Sequence, residues 1–192
     1  MKVFIQSIVA QLLLNPYIFW RGYQAIPAKK SWRIPYTLFF IFELAIYFFG
    51  FIFRNELPDN VMTTIQYICN TWYIASIYIT LSLLTLEVIR LSNRFFHWFP
   101  SWLTTHWKQT KLTLFFIIPA GVTGLMIKAY LTVVHPIVKE VYVTLPKGSS
   151  QRDSLTIVMM SDLHIGEVIG KKLVQRYVAM SNAQHPDMVL MV

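Results

Sequence analysis

Two side chains of the kind that bind metal ions, Asp162 and His164, stand two positions apart near the end of the sequence. In an extended backbone, residues i and i+2 project to the same side, so this carboxylate and this imidazole would converge on one point. An anionic oxygen together with an imidazole nitrogen suits Zn²⁺, Mn²⁺ or Fe. Gly166 follows, and it would let the backbone turn tightly beside a ligand. A carboxylate–imidazole hydrogen bond within a loop uses the same spacing, so the surrounding elements must decide between the two interpretations.

A predicted βαβ unit surrounds this pair. The continuous apolar run Leu155–Met160 comes just before it and is typical of a strand covered on both faces. Lys171–Gln184 has the apolar periodicity of a helix, a Pro-Asp dipeptide ends it, and Met188–Val192 predicts a second buried strand. Strand, helix and strand in this order begin a parallel sheet. The pair would then lie at the carboxyl end of the first strand, where open α/β sheets bind ligands.

The segment before this unit is more polar. Lys139–Leu145 alternates apolar and polar residues, the period-2 pattern of a half-buried strand. Pro146–Asp153 has the composition of a polar turn or short linker. We therefore expect one further strand and a turn to lead into the βαβ unit.

The stretch Leu155–Gly166, followed by a helix and by His185–Val192, resembles the opening of calcineurin-like metallophosphoesterases. It is most similar to their bacterial membrane-associated branch, which includes cell-wall phosphodiesterases and diacylglucosamine-nucleotide pyrophosphatases. The resemblance covers about residues 155–192. It implies that Asp162 and His164 are ligands of the first of two divalent metal ions, Mn, Zn or Fe.

Other parts of the family pattern are missing from the sequence. The next motif, G-D-x-x-D, would begin right after Val192, and the later G-N-H and G-H-x-H motifs are absent as well. Asp187 resembles the acidic residue that precedes the family's second strand, where it is structural rather than a ligand. The resemblance therefore implies an N-terminal fragment that binds metal poorly and is inactive by itself. The catalytic residues beyond the metal ligands stay unknown, because they would follow Val192.

The composition indicates a membrane protein. Hydrophobic residues make up 55% of the 192, charged residues only 14%, and the mean hydropathy is +0.49. Soluble domains carry about 25% charged residues. Residues 1–138 hold 11 basic against 4 acidic residues, so most of the net charge of +8 lies in the apolar part. Cys69 is the single cysteine, so an intrachain disulfide is excluded. It lies in an apolar run.

Four stretches are long and apolar enough, or nearly so, to cross the bilayer. They are residues 3–20, 36–53, 61–86 and 112–134. The first carries glutamines, an asparagine and a proline, but no cleavage pattern follows it, so we interpret it as a retained span rather than a secretory signal. The expected fold is a membrane all-α region of four transmembrane helices, residues 1–138. Residues 139–192 would form the first, incomplete βαβ of an α/β metallophosphoesterase sandwich.

The loop charges predict the orientation. The loops between spans one and two and between spans three and four are strongly basic, which places them in the cytoplasm by the positive-inside rule. Both termini would then lie outside, and losing the first span would not move the C-terminal segment. The expected location is a bacterial inner membrane with the catalytic segment on the extracytoplasmic side. The alternative keeps the enzyme and turns its domain inward.

Three features of the apolar part have competing explanations. The loop 92–110 mixes aromatic and basic residues, which suits single-stranded nucleic acid, but between two spans an interfacial segment explains it better. No nucleic-acid binding is expected. Glu43 and Lys128 are intramembrane charges and thus candidates for ion or proton transport. Their different depths argue against a pair, and Lys128 can extend to the interface, so their roles stay open.

The leading hypothesis is a membrane-anchored, metal-dependent phosphoesterase. It would hydrolyse a phosphodiester or pyrophosphate bond, in a lipid-linked or cell-envelope substrate, with a metal-activated water. The expected partners are membrane lipids and that phosphate-ester substrate. The alternative is a non-enzymatic membrane protein, for interaction or transport, with a vestigial βαβ stub. The sequence leaves the substrate, the metal and the oligomeric state open.

Overall fold

The structure is a computed structural model, and it describes residues 2–144, 153–161, 163 and 170–192. These residues form two compact units, Met1–Ile127 and Lys128–Val192. The elements in chain order are α1 (Lys2–Ala25), α2 (Lys30–Ile52), α3 (Asp59–Phe96), α4 (Ser101–Thr105), α5 (Trp107–Val134), β1 (Ile157–Met160), α6 (Lys171–Asn182) and β2 (Met188–Met191).

Three of the described helices, α2, α3 and α5, are long and apolar enough to cross a membrane. Little of their apolar surface is buried by protein. In the most apolar 18-residue stretch of α5, for example, only 6% of the residues are buried. Apolar surface on this scale has to be covered by something other than water, and lipid is the simplest cover. The prediction of a helical membrane region is confirmed for these three spans.

The predicted first span lies within α1, which is not among these three helices. Two of its polar residues, Gln11 and Asn15, contact α3. Gln11 Nε2 donates a hydrogen bond to Ser76 Oγ at 3.2 Å, and Trp72 Nε1 donates one to Asn15 Oδ1 at 3.0 Å. Gln11 and Ser76 are only 2% and 0% exposed. These bonds attach α1 to α3, and interhelical bonds of this kind stabilise helix pairs in lipid by roughly 1 kcal/mol. A fourth span stays a prediction.

Helix α3 is longer than the span predicted from its apolar run. Its 38 residues make about 57 Å of helix at 1.5 Å per residue, well beyond the ~30 Å of hydrocarbon. The extra residues follow the apolar run and include Glu87, Arg90 and Arg94. Glu87 forms an ion pair with Arg21 of α1. Helix α3 therefore continues past the hydrocarbon into the basic loop region, where charged residues can reach water.

Two apolar clusters form the core of the helical unit. Ile18, Ile79 and Val122 join α1, α3 and α5, while Tyr47, Ile65 and Cys69 join α2 and α3. Beside the second cluster, α2 and α3 approach closely at Gly50. A Cβ there would lie 2.7 Å from Ile65 Cγ2, so this position requires glycine.

The C-terminal unit contains the predicted βαβ arrangement. Strands β1 and β2 pair in parallel, with Ile157 opposite Met188 and Met160 opposite Met191, and α6 connects them. Strand β2 is exposed along its whole length, although its apolar run predicts a strand covered on both faces. Among the described residues, no element packs on its outer edge. The parallel pair is confirmed, while the α/β sandwich stays a prediction.

The prediction of a strand at residues 139–145 is wrong for the described residues, 139–144. These residues pair with no strand, and a cavity of about 510 Å³ lies between this stretch, β1 and α6. The backbone does bring alternate residues to one side, because Tyr142 Oη donates a hydrogen bond to Glu140 Oε2 at 2.7 Å. That bond raises the pKa of Tyr142. Alternation predicted the residue spacing, but a strand also needs a partner for its backbone groups.

Candidate metal site

The carboxyl ends of both strands lie at one edge of the two-stranded sheet. Met160 pairs with Met191 at that edge, and the chain continues from β1 into Ser161 and Leu163. The predicted ligands Asp162 and His164 lie outside the described residues, as does Gly166. Their attachment point, directly after β1, is the edge at which the sequence predicts a ligand site. Their assignment as metal ligands stays a prediction.

The opposite end of the strand pair is fixed by Asp187. Its Oδ2 accepts a hydrogen bond from the Thr156 backbone N–H at 2.9 Å, and its own N–H donates to the Thr156 carbonyl at 2.8 Å. This reciprocal pair aligns the first residues of β1 and β2. The contact agrees with the structural role that the family resemblance implies for Asp187.

Helix α6 is attached to the end of α5 by two side chains. Arg176 Nη1 donates to the Val134 carbonyl at 2.8 Å, and Tyr177 Oη donates to the Val133 carbonyl at 3.4 Å. The last carbonyls of a helix have no intrahelical partner and carry partial negative charge, so a guanidinium is a favourable cap. The apolar pattern of the sequence assigned Tyr177 to packing alone and gave Arg176 no role. These contacts join the end of α5 to the helix that connects the two strands.

The described residues contain no group of three His, Cys, Asp or Glu side chains that could hold a metal ion. Glu43 is 5% exposed within the helical unit, and its Oε2 accepts no hydrogen bond from the described residues. Lys128 is exposed on α5. The described part of the chain therefore offers no metal centre to compete with the one predicted after β1.

Two curated proteins are similar to this chain at low identity. A Danio rerio protein named "Transmembrane protein with metallophosphoesterase domain" is 25% identical over 199 residues, which cover 98% of this chain and 44% of that protein. A Caenorhabditis elegans protein, named provisionally as a metallophosphoesterase, is 25% identical over 156 residues, covering 78% of this chain and 31% of that protein. The chain thus spans less than half the length of either relative. No family model matches the chain, and no solved structure matches it.

Both relatives carry the word metallophosphoesterase in their names. The predicted resemblance to metallophosphoesterases is therefore confirmed at the level of these names. The three apolar helices, together with the first relative's name, support a membrane protein. Both relatives are animal proteins, and the bacterial branch stays a prediction. So do the domain boundary at residue 138 and the early end of the fragment.

Proposed function

We propose that this chain is the membrane-anchored N-terminal portion of a metal-dependent phosphoesterase. The observation that carries the proposal is the parallel β1–β2 pair, whose carboxyl edge leads directly into Asp162 and His164. The relatives' names add support, and similarity to the Danio rerio protein extends over the helical part as well as the βαβ unit. The proposed reaction is hydrolysis of a phosphodiester or pyrophosphate bond in a substrate at the membrane surface.

The proposed ligands fit a divalent cation in chemistry but do not complete a site. A carboxylate and an imidazole are suitable ligands for Zn²⁺, Mn²⁺ or Fe. A pair of such ions, when bound, activates a water and stabilises the attacking and leaving oxygens of the phosphate. Two protein ligands are fewer than the three or four of ordinary sites. The remaining ligands would come from residues after Val192, and residues 1–192 alone should be inactive.

Metal removal tests this proposal. The protein extended to the length of its relatives would be purified in detergent and assayed with bis-p-nitrophenyl phosphate. Chelation should abolish turnover, and added Mn²⁺ should restore it, because the attacking water needs the cations. An extended protein that hydrolyses neither phosphodiesters nor pyrophosphates with Mn²⁺, Zn²⁺ or Fe²⁺ would favour the non-enzymatic alternative.

The proposed orientation puts the βαβ unit outside the cytoplasm. It rests on the basic loops at one end of the spans. The loop at the other end, between spans two and three, has no basic excess. A Ser149→Cys substitution in a Cys69→Ala background should react with a membrane-impermeant maleimide in intact cells. Arg94→Cys in the same background, in the predicted cytoplasmic loop, is the matched control and should react only after permeabilisation. The reverse pattern would turn the domain inward.

A further inference from the structure

The helical unit contains an apolar cavity of about 450 Å³ at the end of the helices that carries the basic loops. Ile18 and Gly22 of α1, Ile79 and Leu83 of α3, and Ile118 of α5 line its deeper part, next to the Ile18–Ile79–Val122 cluster. Its size lies within the roughly 300–1,000 Å³ of ligand pockets in proteins. An apolar space that α1, α3 and α5 leave unfilled beside their shared core suits a hydrocarbon chain.

The rim of this cavity is basic. Arg90 and Lys111 line it together with Trp107, and the Arg90 guanidinium lies 5.4 Å from the Trp107 ring centroid. Lys111 Nζ donates a long hydrogen bond, 3.4 Å, to the Gln24 carbonyl. Arg21 also lines the cavity, but its charge is compensated by the ion pair with Glu87. Two cationic side chains therefore stand beside an apolar cavity without a carboxylate among its lining residues.

We infer that this cavity binds one acyl chain of an anionic phospholipid, whose headgroup Arg90 and Lys111 hold. The apolar lining matches the acyl chain of such a lipid, and the cationic rim matches its anionic headgroup. A zwitterionic lipid offers no net charge to the rim. The basic loops are the ones that the positive-inside rule assigns to the cytoplasm, where the leaflet is anionic. This site lies wholly within the helical unit and does not depend on the phosphoesterase proposal.

Photo-crosslinking tests the site directly. The chain would be reconstituted in phosphatidylcholine vesicles with a trace of phosphatidylglycerol that carries a diazirine in one acyl chain. Phosphatidylcholine with the same diazirine chain is the headgroup control. Each basic residue near an anionic surface contributes about a fivefold preference, so Arg90 and Lys111 together should give roughly 25-fold more labelling of the cavity wall by phosphatidylglycerol. The labelled peptides should contain Leu83, Leu86 or Ile118.

Paired variants distinguish this site from general attraction to a basic surface. R90Q/K111Q should lose most of the preference for phosphatidylglycerol. R94Q/K108Q removes the same charge from exposed residues that do not line the cavity, and it should keep the preference. Protection of buried Cys69 from alkylation would show that each variant is folded. Equal labelling by the two lipids in the unmodified protein, or equal losses in both variants, would overturn the proposal.

Discussion

Replacing Asp162 by Asn in the protein extended past Val192 should lower phosphoesterase turnover by at least about 100-fold. Replacing groups that only support a metal ligand already costs about 10–100-fold in affinity or activity, so loss of a ligand itself should cost more. The amide keeps the size of the side chain but is a much poorer metal ligand than the carboxylate. The measurement is the rate of bis-p-nitrophenyl phosphate hydrolysis at saturating Mn²⁺, together with bound metal per protein.

Asp187→Asn is the matched control for this experiment. It makes the same chemical change in the same βαβ unit, but at the residue that aligns the strand ends through Thr156. The Asn oxygen can still accept the bond from the Thr156 N–H, so this variant should keep most of the turnover and its bound metal. Near-normal turnover by Asp162→Asn, or equal losses in the two variants, would contradict the ligand assignment.

The elements that the sequence predicted correctly are those defined by long or unbroken apolar runs. Runs of that length can adopt few structures, because their apolar residues must be covered by protein or by lipid. The spans predicted at 36–53 and 112–134 thus coincide largely with α2 and α5, and the parallel strand pair follows from chain order. The site motif begins at Ser161, directly after β1, and its assignment as a metal site stays a prediction.

The features that the sequence missed depend on partners far along the chain. Lys139–Leu145 has the alternation of a strand, but whether its backbone groups find a neighbouring strand is not written in that segment. Arg176 binds a carbonyl 42 positions earlier, and no local pattern identifies such a cap. Gln11 and Asn15 weakened the first predicted span because they are polar. Their partners on α3, Ser76 and Trp72, explain why these residues belong in the helical unit.

Helix α5 begins in the helical unit and ends in the C-terminal unit. Helix α5 begins beside the basic cavity rim and ends where Arg176 and Tyr177 bind its last carbonyls. Both side chains lie on α6, the helix that connects the two paired strands.

Replacing Gly22 by Ala should destabilise the helical unit by about 2 kcal/mol, within the 1–3 kcal/mol typical of overpacked cores. A Cβ at this position would overlap Tyr36 Oη and come within 2.7 Å of its Cζ. Tyr36 cannot easily move aside, since its hydroxyl hydrogen-bonds the Ile18 and Phe19 carbonyls and its ring packs on Phe19 and Phe115. For a chain of this size the melting temperature should fall by about 4–8 °C.

The single thiol of the chain provides the measurement. Cys69 is 7% exposed in the α2–α3 cluster, so its reaction with a fluorogenic maleimide on heating reports the opening of the helical unit. Gly121→Ala is the control, because a Cβ there meets nothing within 4 Å and alanine favours a helix. Tyr36→Phe should recover part of the loss in the Gly22→Ala background, as it removes the overlapping oxygen. Equal melting temperatures for Gly22→Ala and Gly121→Ala would mean that α1 and α2 do not approach each other as closely as this contact requires.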